Sequence, residues 1–320
     1  MRRFVVRSFD QAPQIERYSP KPLQPGQIAI AIKHAALNHA DLLMMAGRYQ
    51  DTPKPPFALG LEGAGIVMET NQVSRFAVGD RVATFAGHGC LADQVNVDQN
   101  RVVAVPDGLD LCTAAAVPIA YATAHLGLVR RARAQSGNVL LVTGAGGGSG
   151  LAAVRLGAAL GLQVIATARS EAHRKHAQEA GADQVFDSEI HPEEVTARLR
   201  DLGGVNVVFD TVGGDGLGPI LRAVRPEGQV LMIGFVGGQP TFKPNHLLVK
   251  NQTIAGLNIS AYVQFAPDAL LASLEAVMDL AASGAITADI GHRFDFEQVP
   301  SALAMLADRK ANGKIIIDIV

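Results

Sequence analysis

The sequence predicts an α/β protein of two domains: a compact β-rich domain, then an open, doubly wound parallel sheet with helices on both faces. Three observations carry this expectation. The chain has 320 residues, enough for two domains at roughly 150 residues each. Aromatic residues are 5% and tryptophan is absent, so Ala, Val, Ile and Leu must fill the core, which suits layered helices and parallel strands. Near residue 118 the pattern of apolar runs changes from short and irregular to a regular strand–helix alternation.

Before residue 118, apolar runs at Gln27–Ile32, Ala64–Met68, Arg81–Phe85, Leu91–Val97 and Arg101–Val105 read as strands, with turns at Pro25-Gly26 and Gly79-Asp80. Leu111–Val129 holds no charged residue apart from His125, but six alanines, two threonines and Pro118 leave it too weakly apolar to span a bilayer. It reads as one buried helix between the domains. Asn138–Thr143 is nearly all apolar, as in a strand buried on both faces. A helix at Gly150–Leu160 and a strand at Gln163–Thr167 follow. The alternation continues through a helix at Glu171–Ala180, a strand at Gln184–Phe186, a helix at Pro192–Asp201 and a strand at Val205–Asp210. A helix at Gly216–Val224 and a strand at Gln229–Gly234 complete it. The remainder predicts strands at Thr253–Ile259 and Lys314–Ile319, with helices at Pro267–Ser283 and Glu297–Asp308. The domains are thus expected at 1–118 with 260–320, and at 119–259.

Composition narrows the function classes. Hydrophobic residues at 48% and charged residues at 18% exclude a disordered chain. A net charge of −2, with no basic run longer than two residues, speaks against a nucleic-acid or anionic-membrane partner. Two cysteines, Cys90 and Cys112, cannot build a disulfide framework or a four-cysteine zinc site. The first residues lack the apolar stretch of a signal peptide, so a cytoplasmic protein is expected.

The strongest chemical signal is Val142-Thr143-Gly144-Ala145-Gly146-Gly147-Gly148-Ser149-Gly150-Leu151, after a buried strand and before a helix. Bare backbone there can approach a pyrophosphate, and the helix N-terminus offers it N–H groups and partial positive charge. A GxGxxG pattern fails because Ser149 stands where its third glycine would fall, whereas GxxGxxG fits through Gly144, Gly147 and Gly150. No Gly-Lys-Ser/Thr follows, which excludes a Walker loop. An acid at the end of the second strand would bind the free ribose hydroxyls of NAD. The chain has Arg169 and Ser170 there instead, with Arg174 and Lys175 two turns on. A planar guanidinium suits a 2′-phosphate, so the expected cofactor is NADPH.

Further motifs make the chain resemble the zinc-free quinone oxidoreductases, zeta-crystallin among them, of the medium-chain dehydrogenase/reductase superfamily. They are Ala36-Leu37-Asn38-His39-Ala40-Asp41, Gly60-Leu61-Glu62-Gly63-Ala64-Gly65, Phe76-Ala77-Val78-Gly79-Asp80-Arg81-Val82, Ala114-Ala115-Ala116-Val117-Pro118, Asp210-Thr211-Val212-Gly213-Gly214 and Asn312-Gly313-Lys314. The resemblance implies a GroES-like first domain, a Rossmann second domain, a cleft for nicotinamide and substrate, and a homodimer. Zinc-dependent relatives carry Cys where Asn38 stands and His where Leu61 stands, so no metal is expected.

It further implies a reductase acting on quinones or other electron-poor conjugated carbonyl acceptors, where conjugation delocalises the developing charge without a Lewis acid. Asn38, Asp41, Tyr49 and Thr123 match positions near the nicotinamide or acceptor. Asn38 and Thr123 would donate hydrogen bonds, and Tyr49 or solvent a proton. Asp41 could equally cap the helix before Leu42–Ala46, with Asn38 as a turn residue. Glu62 reads as fixing a buried loop rather than as an acid. Gly213, Gly234 and Phe235 fall at strand ends where nucleotides bind, and Gly313 and Lys314 match a segment close to the cofactor. A 2-enoyl thioester reductase and a non-catalytic NADPH-binding protein are the alternatives.

Overall fold

The computed structural model describes residues 1–71 and 74–319. It divides into two compact units, Met1–Ala122 with Ser260–Val320, and Thr123–Ile259.

The first unit begins with β1 (Arg2–Val6), β2 (Gln14–Arg17), β3 (Gln27–Ala36), α1 (His39–Met45), β4 (Phe57–Ala58) and β5 (Glu62–Thr70). After them come β6 (Arg81–Phe85), β7 (Gln94–Asp98), β8 (Val102–Ala104), α2 (Leu111–Ala116) and α3 (Pro118–His125), whose last residues belong to the second unit. Strand β3 organises the unit: it pairs antiparallel with β5 along its length and with β7 through Gln27–Ala31. Ile28, Ile30 and Ile32 share one face by the two-residue period of a strand and are at most 2% exposed.

Three expected elements differ here. Strand β7 starts at Gln94 rather than Leu91, because Leu91 spends its N–H on Leu59 and its carbonyl on Phe4. Strand β8 is cut to three residues by a 3-10 turn at Gln99–Arg101, capped by the Asp98 side chain. Leu111–Val129 is not one regular helix, since α2 stops before Pro118, which has no N–H to offer the preceding turn. The next free N–H, of Ile119, goes to Glu62 Oε2 at 2.7 Å, and a π-helical turn takes over at Leu126–Arg131.

The second unit runs β9 (Val139–Thr143), α4 (Gly148–Ala159), β10 (Gln163–Ala168), α5 (Glu171–Glu179), β11 (Gln184–Asp187), α6 (Pro192–Asp201) and β12 (Val205–Asp210). Then follow α7 (Leu217–Ile220), β13 (Val224–Met232), α8 (Asn245–Lys250) and β14 (Thr253–Gly256). Its six strands are all parallel, in the order β11-β10-β9-β12-β13-β14. The order therefore reverses between β9 and β12, the switch point at which such sheets bind ligands beyond their carboxyl ends. Leu141, Leu221, Val208 and Val230 anchor the core below it.

The helix expected at Gly216–Val224 is only the single turn α7, and β13 starts at Val224. Gly218 and Pro219 make poor helix, and the Ala223 carbonyl is drawn off to the Val205 N–H at 3.0 Å. The strand expected to reach Ile259 ends at Gly256, and Ile259 instead opens α9 (Ile259–Phe265). The chain then returns to the first unit through α10 (Pro267–Ala282), β15 (Ile290–Asp295), α11 (Val299–Ala307) and β16 (Lys314–Asp318). Strand β16 pairs antiparallel with the end of β3, which completes the order β15-β16-β3-β5-β6-β8. Among the described residues no helix is long and apolar enough to cross a membrane.

Candidate functional site

In the second unit, the glycine segment turns sharply from β9 into α4. Gly144 has φ +70°, which L side chains rarely adopt, and a Cβ at Gly150 would lie 2.3 Å from the Gly144 carbonyl oxygen. The fold itself therefore requires these two glycines. Gly147 is different. It is exposed, has an ordinary extended conformation (φ −94°, ψ 162°), and a Cβ there would meet nothing closer than 3.7 Å. As the N-cap of α4 it contributes no side-chain cap. Gly148 and Ser149 form the first turn behind it, whose amides carry the helix's partial positive charge. This bare, uncapped N-terminus fits a pyrophosphate, which needs open backbone and free amides.

Across the switch point, Asp210 at the end of β12 ties the two loops together. Its Oδ1 accepts the Thr143 hydroxyl hydrogen and, at 3.1 Å, the Val212 N–H. The Gly213 N–H reaches both carboxylate oxygens at 3.2 Å. Thr211 closes the net by donating its hydroxyl to the Thr143 carbonyl at 2.8 Å. Thr143, Asp210 and Thr211 were not among the expected site residues, although the Asp210–Gly214 motif pointed to their segment. Gly213 therefore lies beside the glycine turn, Gly234 packs on the Thr211 backbone, and Phe235 stands 50% exposed beyond it.

At the end of β10, Ser170 caps α5 through the His173 N–H. The His173 ring lies over Gly146, where a Cβ would come within 2.7 Å of it. Arg174 spans two strand ends, donating to the Arg169 carbonyl at 2.6 Å and pairing with Asp187 at 2.9 Å. Lys175 leans toward Glu179, 3.9 Å away. Arg169 is exposed and its guanidinium has no ion-pair partner among the described residues. Of the cations expected here, it is the one left free for an anion.

The expected residues of the first unit cluster differently. Asn38, not Asp41, is the N-cap of α1, and Asp41 sits three residues in, accepting the Asn38 N–H at 2.8 Å and the Gly60 N–H at 3.1 Å. Asp41 is wholly buried, and desolvation pushes its carboxyl up to about 7 against those two donors and the Lys314 charge. The Asn38 amide is also engaged, with Nδ2 donating to Glu62 Oε1 at 2.8 Å and Oδ1 accepting from Lys314 at 2.9 Å. Lys314 is not a surface charge. Its side chain is 6% exposed, and the ammonium donates to Glu62 at 2.5 Å, to Asn38, and to the Leu37 carbonyl at 3.2 Å. Gly313 (φ +86°) serves the turn into β16 against Asp289. Asp41, Gly313 and Lys314 thus each have partners inside this unit.

Tyr49 is half-buried, its hydroxyl 3.3 Å from Ser260 Oγ, and burial raises its pKa above the usual phenol value. Thr123 lies buried in α3 at the start of the second unit. His39 and His125 are both pushed by burial toward the neutral form, as packed imidazoles are.

The donor set does not suit zinc. Asn38 has spent its amide, Leu61 is apolar, and the nearby cation is the Lys314 ammonium. Among the described residues no three His, Cys, Asp or Glu side chains are placed to hold one metal ion.

Comparison with known proteins agrees with this architecture. A family model described as an alcohol dehydrogenase GroES-like domain matches residues 24–107, and one described as a zinc-binding dehydrogenase matches residues 148–276. Quinone oxidoreductase-like protein 2 of Bos taurus is 35% identical over 309 residues, covering 95% of this chain and 88% of that protein. The chain belongs to the quinone oxidoreductase-like branch of the medium-chain dehydrogenase/reductase superfamily. The resemblance read from the sequence is thereby confirmed, and with it the oxidoreductase class. The quinone oxidoreductase of Thermus thermophilus, solved also as a complex with NADPH, matches this oxidoreductase with a TM-score of 0.87 at 26% identity, both chains being covered in full (100%). A mycocerosic acid synthase-like polyketide synthase of Mycobacterium tuberculosis is 30% identical over 304 residues, covering 93% of this chain but 14% of that much larger protein.

Proposed function

We propose that this oxidoreductase is an NADPH-dependent, zinc-independent reductase of quinones and other electron-poor conjugated carbonyl compounds. The observation that carries the reading is Gly147. A Cβ there would meet nothing closer than 3.7 Å, so its missing side chain leaves open backbone that a group outside the chain can approach. The free guanidinium of Arg169 supports a 2′-phosphate on that group, and so does the likeness to a quinone oxidoreductase known with NADPH.

When bound, NADPH supplies the hydride. The residues of the second unit bind and orient it: the amides at Gly148 and Ser149 take the pyrophosphate, Gly213 and Gly234 shape the neighbouring strand ends through their close backbone packing, and Thr123 holds the nicotinamide end. The Asn38 amide supports the α1 turn instead of donating to the acceptor. Tyr49 orders the acceptor through its ring and hydroxyl. Its raised pKa makes it a poor acid, so solvent supplies the proton.

Loss of NADPH absorbance in a stopped-flow assay with a panel of quinones and enones tests the reaction. Turnover with at least one of them is expected, and none at all would overturn it. Reduction of 2-enoyl thioesters is a second reading, favoured by the polyketide synthase likeness. Crotonyl-CoA compared with 1,4-benzoquinone separates the two.

We also propose a cytoplasmic homodimer. Among the described residues no strand pairs with the outer edge of β14, and Leu248 and Val249 nearby in sequence are 80% and 77% exposed. A monomer in sedimentation equilibrium would rule the dimer out.

A further inference from the structure

The first unit contains a cavity of about 590 Å³ lined by none of the residues assigned above, a size typical of small-molecule sites. Phe57, Ala86, Val95, Val97 and Val263 give it an apolar side, beside the polar residues Tyr18, Ser19, Gln27, Gln94 and Asn96. A smaller cavity of about 110 Å³ shares Asp98, Arg101 and Val263 with it, so Arg101 lines both spaces.

Arg101 is unusually short of partners. Its Nη1 donates to the Ala86 carbonyl at 2.9 Å, and no carboxylate of the described residues lies within ion-pair distance. Burial draws the guanidinium below its usual pKa, with Asp98 and Asp51 opposing only at longer range. A half-buried guanidinium bears a desolvation cost that a protein normally offsets with a carboxylate. The other charged groups on the walls do not meet that need. Arg3 is paired with Glu16 at 2.6 Å, and Asp98 turns a carboxylate oxygen to the Asn100 N–H at 2.9 Å. Lys21 adds positive charge, and His88, edge-on to Phe57, is held toward its neutral form by burial. The missing partner is an anion.

We propose that this cavity binds an organic anion, an apolar body ending in a carboxylate or phosphate, whose charged end is received by the Arg101 fork. Two parallel N–H groups of a guanidinium match both oxyanion geometries. The apolar side, with Phe57, Val95 and Val97, then distinguishes such a molecule from an inorganic ion. The site lies entirely within the first unit and is independent of the reductase reading.

Calorimetry with 2-naphthoate and its uncharged isostere 2-naphthamide, at saturating NADPH, tests it. The carboxylate is expected to bind about tenfold more tightly than the amide. Arg101→Gln should erase that preference, Arg101→Lys should keep part of it, and Arg169→Gln should leave it intact. Val263→Trp, which fills the wall without touching the charge, should weaken both probes. Inorganic phosphate should compete with naphthoate only weakly. Equal affinity for the two probes, no binding of either, or an undiminished preference in Arg101→Gln would overturn the proposal. So would loss of the preference in Arg169→Gln, which would move the anion to the nucleotide site.

Discussion

Lys314 donates to Glu62 across 2.5 Å, with side-chain exposures of 6% and 0%. The two residues begin β16 and β5, the strands on either side of β3. Glu62 also receives Asn38 and Ile119, so one carboxylate holds the N-cap of α1 and the first turn of α3. Such a pair endures desolvation because the ammonium donates to three acceptors and both carboxylate oxygens accept hydrogen bonds.

Removing one member should therefore be costly. Lys314→Met is expected to lower the unfolding free energy by about 3–5 kcal/mol, the usual loss for an orphaned buried charge. Adding Glu62→Leu should recover much of it. Urea unfolding of the single and double variants checks this, and a single variant as stable as the parent would contradict it.

Asp41 imposes a pH dependence of definite sign. Its carboxyl is raised to about 7 in the folded protein, from 3.8 without the fold. Between those values the folded state keeps a proton that the unfolded chain has lost. Stability from this group is therefore highest at the acid end and falls as pH rises toward 7, by up to about 1.4 kcal/mol per unit. The stability difference between the parent and Asp41→Asn, followed from about pH 4 to pH 8 by chemical unfolding, should show that slope and flatten above 7.

Gly147 and Gly150 should separate binding from folding. Gly147→Ala has room for its methyl and should change stability by less than about 1 kcal/mol, yet weaken NADPH at least about tenfold by obstructing the pyrophosphate. Gly150→Ala drives a Cβ into the Gly144 carbonyl and should unfold at a clearly lower temperature. Thermal melts with and without NADPH discriminate between them.

Arg169→Ala should cost NADPH about 1.5–3 kcal/mol of binding, the range for charge-assisted hydrogen bonds, and leave NADH affinity nearly unchanged. Calorimetry that finds equal losses for both nucleotides would remove Arg169 from the 2′-phosphate.

Tyr49→Phe is expected to reduce kcat less than about tenfold and to leave the pH–rate profile in place, since a phenol with a raised pKa is a poor proton donor. A larger loss with a shifted profile would make Tyr49 the acid.

Much of the second unit was legible because its signals are local. A buried strand, the glycine turn and a helix follow one another within Val139–Ala159. The alternation of strand and helix then leaves few topologies open. Local signals also failed where propensity was weak: α7 shrank to one turn through Gly218 and Pro219, and the short strands β1, β2 and β4 lack a periodic run long enough to read.

The amino-acid order by itself determined the glycine turn, the basic end of β10 and the family, since each is written in neighbouring residues. Only the tertiary structure decided what Lys314, Asn38, Asp41 and Arg101 do. Lys314 meets Glu62 from 252 positions away, and whether a lysine ends in water, on a phosphate or in a buried pair depends on which strands lie beside it. Charge is a property of a residue, but its partner and its dielectric surroundings are properties of the fold.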